Sequence, residues 1–352
     1  MIKYIGSKRA LLGAILGVVE SLPARSVLDM FSGTSRVGHA LKGAGYRVVA
    51  NDHNAYAHTL ATCYVQADLE DVRRDAGALI AEFNGLAGKP GYFTKTFCED
   101  SRFFQPKNGA RVDAIRDELE RKGLPPELKA VLLVSLMEAA DRVDSTTGLQ
   151  MAYLKEWAPR AHNDIELRMP NVLPRARHGK GQATCLEAEQ AAATPVDVAY
   201  IDPPYNQHSY LANYHIWETL VRWDKPEAYG VACKRVDVRE RKSTFNSRPK
   251  FLAAFKDMIA AVKAKFLVVS FNNEGFLSQQ DAEEVLGARG KVLTLTHDFK
   301  RYVGAQIGIY NPQGEKVGKV SHLRNKEFLY VVTPQEFEFA PDAAPKQAAL
   351  FA

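Results

Sequence analysis

Cysteine is scarce in this 352-residue chain: there are four, Cys63, Cys98, Cys185 and Cys233, widely scattered. No two stand at metal-ligand spacing, which argues against a zinc knot or a disulfide framework and leaves reduced intracellular thiols as the expectation. No apolar run is long enough to span a bilayer. The first residues, MIKYIGSKRALL, lack the apolar core and small-residue cleavage site of a secretory signal, so the cytoplasm is the expected compartment. No internal repeat is visible. Neither sign of charge dominates: 46 Lys and Arg against 41 Asp and Glu leave a formal net charge of +5 and a pI near 8.8. That balance permits a polyanionic partner without requiring one. What remains is 46% hydrophobic and 25% charged, the composition of a globular protein with room for one large or two modest domains.

The most informative stretch is VDVAYIDPPYNQHSY, residues 196–210. VDVAYI reads as a buried parallel strand. Two consecutive prolines then stop the ladder, so the chain leaves the sheet at Asp202-Pro203-Pro204-Tyr205. This sets a carboxylate, a rigid turn and an aromatic ring at the carboxyl end of a strand, where open α/β sheets bind ligands. The group such a cluster suits is a planar, weakly nucleophilic amine. Asp202 can accept one N–H and the Pro203 carbonyl, fixed by Pro204, the other, which turns the nitrogen lone pair toward an electrophile. Tyr205 offers a face for stacking on a base. A strand end with a packed tyrosine is the plainer alternative.

Upstream, residues 10–20 carry Leu11, Leu12, Ile15, Leu16 and Val19 at helical spacing. Residues 26–31, SVLDMF, read as a strand, followed by the turn SGTSRVG and a helix to Gly43. Strand, glycine turn and helix form a nucleotide-cofactor arrangement. A second strand over 47–50 leads to Asn51-Asp52, which puts an acid where ribose hydroxyls would be bound. From 68 to 177 the alternation stops. Helices are expected over 68–86, 109–122 and 126–142, an aromatic loop over 91–105 and a flexible stretch over 145–148. Alternation resumes with a short strand over 181–186 near Glu187, the Asp202 strand, a helix over 211–223, the strand FLVVSF (266–271), a helix over 279–288 and strands over 291–297 and 327–333. Asn311-Pro312-Gln313-Gly314 marks a hairpin turn. Residues 225–250 are rich in basic side chains, including Lys234, Arg235, Arg239, Arg241, Lys242 and Arg248. Composition leaves a solvated loop open; position after the Asp202 helix favours contact with a phosphate backbone.

These residues together resemble the DNA adenine-N6 methyltransferases of the Dam-like group, which use S-adenosylmethionine. The likeness runs from Ile2 to about Val332 through KYIGSKRALL, DMFSGTSRVG and YIDPPYNQHSY, with weaker support from SRFFQPKNGARVDAIRD, ADRVDSTTG and LVVSFNN. It implies an α/β fold: a Rossmann-like class I methyltransferase sheet with an inserted, mainly helical target-recognition lobe. Residues 1–67 and 178–333 would form the discontinuous catalytic domain, 68–177 the insertion and 334–352 a flexible tail. The resemblance assigns Tyr4, Lys8, Asp29, Phe31, Ser32, Gly33, Thr34, Asp52 and Glu187 to the cofactor, and Asp202, Pro203, Pro204 and Tyr205 to a flipped adenine in duplex DNA. It implies no metal and no cysteine nucleophile. Ser35 stands where the family usually has a second glycine, and is expected to add a side chain close to the cofactor.

The last residues, PQEFEFAPDAAPKQAALFA, read as an extended tether. Gln347, Leu350 and Phe351 resemble the short peptide by which bacterial replication and repair proteins dock on the sliding clamp, with an inert terminus as the alternative. For the whole chain, an RNA adenine-N6 methyltransferase, a glutamine-N5 methyltransferase of proteins and a non-catalytic DNA-binding protein on the same fold remain open. Asp202 in place of the asparagine usual in the glutamine enzymes counts against that one.

Overall fold

A computed structural model describes residues 1–6, 8–207, 209–273, 275–300, 309–310, 316–318 and 324–339. Its strands, in chain order, are β1 (Ser26–Asp29), β2 (Arg47–Asn51), β3 (Gln182–Thr184), β4 (Val196–Ile201), β5 (Ala228–Tyr229), β6 (Lys234–Arg235), β7 (Ala264–Asn272), β8 (Lys291–Lys300), β9 (Ile309–Tyr310), β10 (Lys316–Gly318) and β11 (Arg324–Thr333). The main sheet has the order β3-β2-β1-β4-β7-β11-β8. Its first five strands are parallel, and β11 runs antiparallel between β7 and β8.

The helices are α1 (Leu12–Glu20), α2 (Arg36–Gly43), α3 (Ala55–Ala61), α4 (Leu69–Asn84), α5 (Tyr92–Thr94), α6 (Pro106–Lys122), α7 (Pro126–Arg142), α8 (Ala188–Ala191), α9 (Tyr210–Asn213), α10 (His215–Arg222), α11 (Arg248–Ala261) and α12 (Gln279–Gly287). Successive strand side chains point to opposite faces of a sheet. In β4 this sends Val198 and Tyr200 into the cluster under α1 and α2, and Ala199 and Ile201 into the cluster under α11 and α12. Both faces are therefore covered, which is why the strand reads as a continuous apolar run. The result is the Rossmann-like class I arrangement that the resemblance implies.

The chain between β2 and β3 supplies α3 to α7. Its buried Phe83, Phe93, Phe97, Ile115, Leu132 and Met137 belong to one apolar cluster with Tyr56 and Leu60 of α3 and Ile216, Trp217 and Leu220 of α10. Burying each such side chain is worth about 1.5–3 kcal/mol, so the shared cluster holds the inserted helices firmly against the sheet's own helices. The buried Lys42–Asp68 pair, 2.9 Å, and Arg175–Asp68, 2.7 Å, tie the two ends of the insertion to α2.

Several local expectations change. Residues 91–105 are not a loop throughout: α5 continues into a π-helical turn, Lys95–Glu99, and Phe93, Phe97, Phe103 and Phe104 are fully buried. Their aromatic content is core, which dictates the local backbone. Residues 145–148 are not loose either. Asp144 is buried and receives Lys3 Nζ at 2.8 Å, Arg160 Nε at 2.9 Å and Nη2 at 2.7 Å, and the Thr146 hydroxyl at 2.5 Å. The helix expected over 211–223 breaks at Tyr214, whose φ of −132° separates α9 from α10. Helices α3 and α11 were not foreseen. The tight turn expected at Asn311-Pro312-Gln313-Gly314 lies outside the described residues, as do Gln347, Leu350 and Phe351.

Candidate active-site cleft

Strands β1 and β4 are neighbours, with Asp29 opposite Tyr200. The chain passes from β1 outward to β2 and β3, whereas β4 leads to the other half of the sheet. Loops from the two carboxyl ends diverge there and leave a crevice. It holds a cleft of about 1040 Å³, including the space open at its mouth, lined by Tyr4, Lys8, Asp29, Phe31, Ser32, Gly33, Thr34, Asp52, Glu187, Asp202 and Pro204. The cofactor turn after β1 and the Asp-Pro-Pro-Tyr loop after β4 therefore share one cavity. Pro203 is buried and Tyr205 half-buried, and neither is on the wall. Tyr205 packs on Phe271 at a ring separation of 5.7 Å.

At the first end, Gly33 has φ +50°, and a Cβ there would meet the Tyr4 ring at 3.3 Å. Both the backbone conformation and the close approach call for glycine. Its amide donates to Asp52 Oδ2 at 3.1 Å, while the Asn54 amide and Nδ2 donate to Asp52 Oδ1 at 2.9 and 3.1 Å. Burial raises the Asp52 pKa, and the donors and nearby His53 oppose that rise. Asp29, fully buried, accepts from the Gly38 amide at 2.9 Å; burial pushes it up to about 7 against that hydrogen bond. Tyr4 sits between Tyr210 and Tyr214, at ring separations of 5.3 and 4.5 Å and nearly parallel to both. Glu187 caps α8 and lies 3.5 Å from the His53 ring, its side chain two-thirds exposed at 66%. Ser35 departs from expectation. It adopts φ +56° at the start of α2 but is fully buried and does not line the cleft, so its side chain is not set against the cavity.

At the second end, Asp202 is mostly buried. Lys8 Nζ lies 3.1 Å from its Oδ1 and also contacts Glu327 Oε1. Burial pushes Asp202 up to about 6, with Lys8 pulling down and Glu327 pushing up. Lys8 loses from burial but is raised overall by the two carboxylates. Its ammonium also stands 5.7 Å over the Tyr205 ring. Lys8 thus lines the cavity while its charge is directed at Asp202. Among the described residues, five buried polar atoms of lining residues make no aligned hydrogen bond: Ser32 Oγ, Arg36 Nε, Asn54 Oδ1, the Tyr200 hydroxyl and Asp202 Oδ1, the last with Lys8 Nζ 3.1 Å away. Buried polar atoms in such a state call for a partner, and a polar ligand in the cleft would supply it.

The basic segment divides. Arg235 is 2% exposed and spends its guanidinium on Asp224, at 2.8 and 2.7 Å, and on Asp237, at 3.0 and 3.1 Å. Arg241 pairs with buried Glu218 at 2.9 Å and itself lines the cleft. Arg235 is thus committed to two partly exposed carboxylates within its own segment, whereas Arg241, a third exposed, is held by the buried Glu218 at the cleft wall. Arg239 is exposed over the Tyr229 ring at 3.8 Å, Lys234 is half-buried, and Lys242 and Arg248 are exposed. Those four remain on or near the surface. The wall also includes Ser243, Thr244, Phe245 and Asn246, which the sequence did not single out. Phe245 meets Phe31 edge-on at 5.3 Å, and Asn246 Nδ2 donates to the Asn206 carbonyl at 2.8 Å. Glu327 was missed as well; its only signal was an acid leading an apolar strand, KEFLYVV.

Chemically, the cleft offers a carboxylate at each end, glycine and tyrosine surfaces between them, and a buried ammonium beside one of the carboxylates. The Gly33 cradle, the Asp52 acceptor and the unpartnered Ser32 hydroxyl fit a ligand with ribose hydroxyls and a polar tail.

Comparison with known proteins gives a consistent picture. A family model described as D12 class N6 adenine-specific DNA methyltransferase matches residues 4–281. The chain is similar to the modification methylase StsI of Streptococcus sanguinis, 28% identical over 301 residues, covering 81% of this chain and 46% of StsI. It is 25% identical over 340 residues to the type II methyltransferase M.NlaIII of Neisseria lactamica, covering 92% of this chain and 99% of that one. It is 30% identical over 313 residues to the type II methyltransferase M.FokI of Planomicrobium okeanokoites, covering 82% and 47%. The chain thus spans about half the length of StsI and M.FokI and nearly all of M.NlaIII.

Proposed function

This chain belongs to the D12 class N6 adenine-specific DNA methyltransferase family, and from that premise we propose that it methylates N6 of an adenine flipped out of duplex DNA, by direct transfer from S-adenosylmethionine. The observation that carries the reading is the single cleft shared by the Phe31–Gly33 turn and Asp202. When bound, S-adenosylmethionine supplies an electrophilic methyl group on a sulfonium. Gly33 and Thr34 wrap its polar tail, Asp52 accepts from the ribose hydroxyls, and Glu187 borders the adenine. Phe31, which lines the cleft, lends an aromatic face to the positive sulfur.

At the other end, Asp202 accepts one N–H of the target amine and the Pro203 carbonyl the other. With both hydrogens held, the nitrogen lone pair is aimed across the cleft. A carboxyl held near 6 is an anion at neutral pH and can still take the proton the amine sheds. Tyr205 flanks the base, offsetting part of the few kcal/mol, roughly, that unstacking costs. The order of parts, cofactor turn, helical insertion and then Asp-Pro-Pro-Tyr, supports the Dam-like grouping, with 68–177 as target-recognition lobe. Lys234, Arg239, Lys242 and Arg248 are offered to phosphates.

The test is transfer of labelled methyl to duplex DNA, single-stranded DNA and RNA by the wild type and Asp202→Ala. Label in duplex adenine that is lost in the variant supports the reading; equal label in both, or label in RNA alone, rejects it. The tail carries a separate proposal on sequence alone: Gln347, Leu350 and Phe351 dock on the replication sliding clamp. Deleting the last six residues is expected to abolish clamp binding and spare methylation of short duplexes; unchanged clamp affinity rejects it.

A further inference from the structure

Three side chains from the front, middle and end of the chain converge at the Asp202 end of the cleft. Lys8 comes from the 3-10 turn Lys8–Leu11, Asp202 from the residue after β4, and Glu327 from β11. Lys8 is 8% exposed and Glu327 5%. One ammonium is shared by two carboxylates, with Asp202 Oδ1 at 3.1 Å and Glu327 Oε1 in direct contact. With all three ionised the group carries one net negative charge inside the protein. Charges are buried at such cost that an unpaired one is normally neutralised, so the arrangement has to be explained by what the third member does.

We propose that Glu327 is a positioning residue for the methyl-transfer site: it anchors the Lys8 ammonium so that Lys8 steadies Asp202 without occupying it. A lysine paired with Asp202 alone would be drawn fully onto that carboxylate and compete with the substrate amine for its lone pairs. Glu327 takes the larger share of the ammonium. Asp202 Oδ1 has that ammonium 3.1 Å away but out of hydrogen-bond alignment with it, a looser contact than the one Glu327 makes, and Asp202 borders the cleft. The net negative charge also suits the chemistry, because a positive charge moves toward the amine as the methyl is transferred. The inference rests on the function proposed above.

Among the described residues, the groups facing the trio from the elements around it are few. Asn272 of β7 and His297 of β8 stand opposite Glu327 in register. Tyr200, Tyr205 and Tyr210 direct their hydroxyls' influence toward Lys8 or Asp202, and Asp29 lies within electrostatic reach of Asp202. Only Lys8 is a permanent cation among them, so its removal and the removal of Glu327 act on Asp202 with opposite signs.

That opposition is the test. Kcat/KM for duplex methylation is measured from pH 5 to pH 9, on the order of the range over which a perturbed carboxyl titrates, for wild type, Glu327→Gln, Glu327→Asp and Lys8→Met. Glu327→Gln is expected to lower the rate at neutral pH and to move the acid limb to lower pH, since the neighbouring negative charge is gone. Lys8→Met is expected to move the limb up by about one pH unit. Glu327→Asp keeps the charge and is expected to restore the wild-type limb. A merely structural strut would lower the rate or the melting temperature without opposed shifts. Acid limbs that stay in place, or move in the same direction, overturn the proposal. If Glu327→Gln does not fold, Lys8→Met against Glu327→Asp decides: an unmoved limb in Lys8→Met is fatal. An inactive wild type would instead sink the function itself. In that case titration of the Asp202 carboxyl by carbon NMR in the same variants still reads the coupling.

Discussion

Asp52 and Asp202 each stand one residue past a parallel strand, β2 and β4, at two ends of one cleft. Asp52 accepts three hydrogen bonds, from Gly33 and twice from Asn54, all supplied within a few tens of residues. Asp202 has no such set of fixed backbone and amide donors among the described residues and is steadied by an ammonium 3.1 Å away whose other partner comes from the far end of the chain. The same side chain is thus given two environments. A carboxylate saturated with fixed donors is an anchor for a ligand that stays the same throughout a reaction. One that keeps free lone pairs beside a positive charge suits a group whose hydrogen bonding changes as it reacts.

The two ends are therefore expected to break differently. The largest effect is expected for Asp202→Ala, with kcat falling about 10²–10³-fold, the size seen when one group stabilising a transition state is removed. Binding of S-adenosylhomocysteine by calorimetry should hardly change. Asp52→Ala is expected to do the reverse, weakening that binding about 10–100-fold, as for loss of a charged hydrogen bond of about 1.5–3 kcal/mol. Its kcat at saturating cofactor should stay near wild type. If both substitutions damaged the same parameter, the contrast would be gone. Gly33→Ala sharpens the first end: a side chain at φ +50° and 3.3 Å from Tyr4 costs about 1–2 kcal/mol of stability and narrows the cofactor end. Thermal melting and cofactor binding would both register it.

The smallest expected effect is in pH. Asp202 must be ionised to accept an N–H, and burial raises it to about 6. Kcat/KM is therefore expected to be level above about pH 7 and to fall about tenfold per unit well below about pH 6. A profile flat through pH 5 to 7, an interval of about that width around the carboxyl's titration, would show that the second end is not the one that must stay charged.

Much of this was legible because it is local. VDVAYI and SVLD announce buried parallel strands, and two prolines mark where β4 must leave the sheet. The partners of Asp52 lie in the adjoining motifs, so the turn after β1 and the acid after β2 point to one site. Helix α3 escaped notice because seven residues of Ala, Tyr, His, Thr and Leu have no clear stripe, and α11 because it follows directly on a basic run. The aromatic 91–105 stretch looked like a loop, although its phenylalanines are core. Arg235 and Arg241 looked like surface charge until Asp224, Asp237 and Glu218 were found around them.

The sequence by itself determined the strand that carries Asp202, the glycine turn that faces it and the family to which both belong. Those depend on propensity, periodicity and backbone chemistry within a few residues. The tertiary structure alone decided that Lys8 is shared between Asp202 and Glu327, that Arg235 is buried and that Arg241 is held at the cleft wall by Glu218. A charge has no periodicity to betray its partner, and residues 319 positions apart meet only when the antiparallel β11 is laid between β7 and β8.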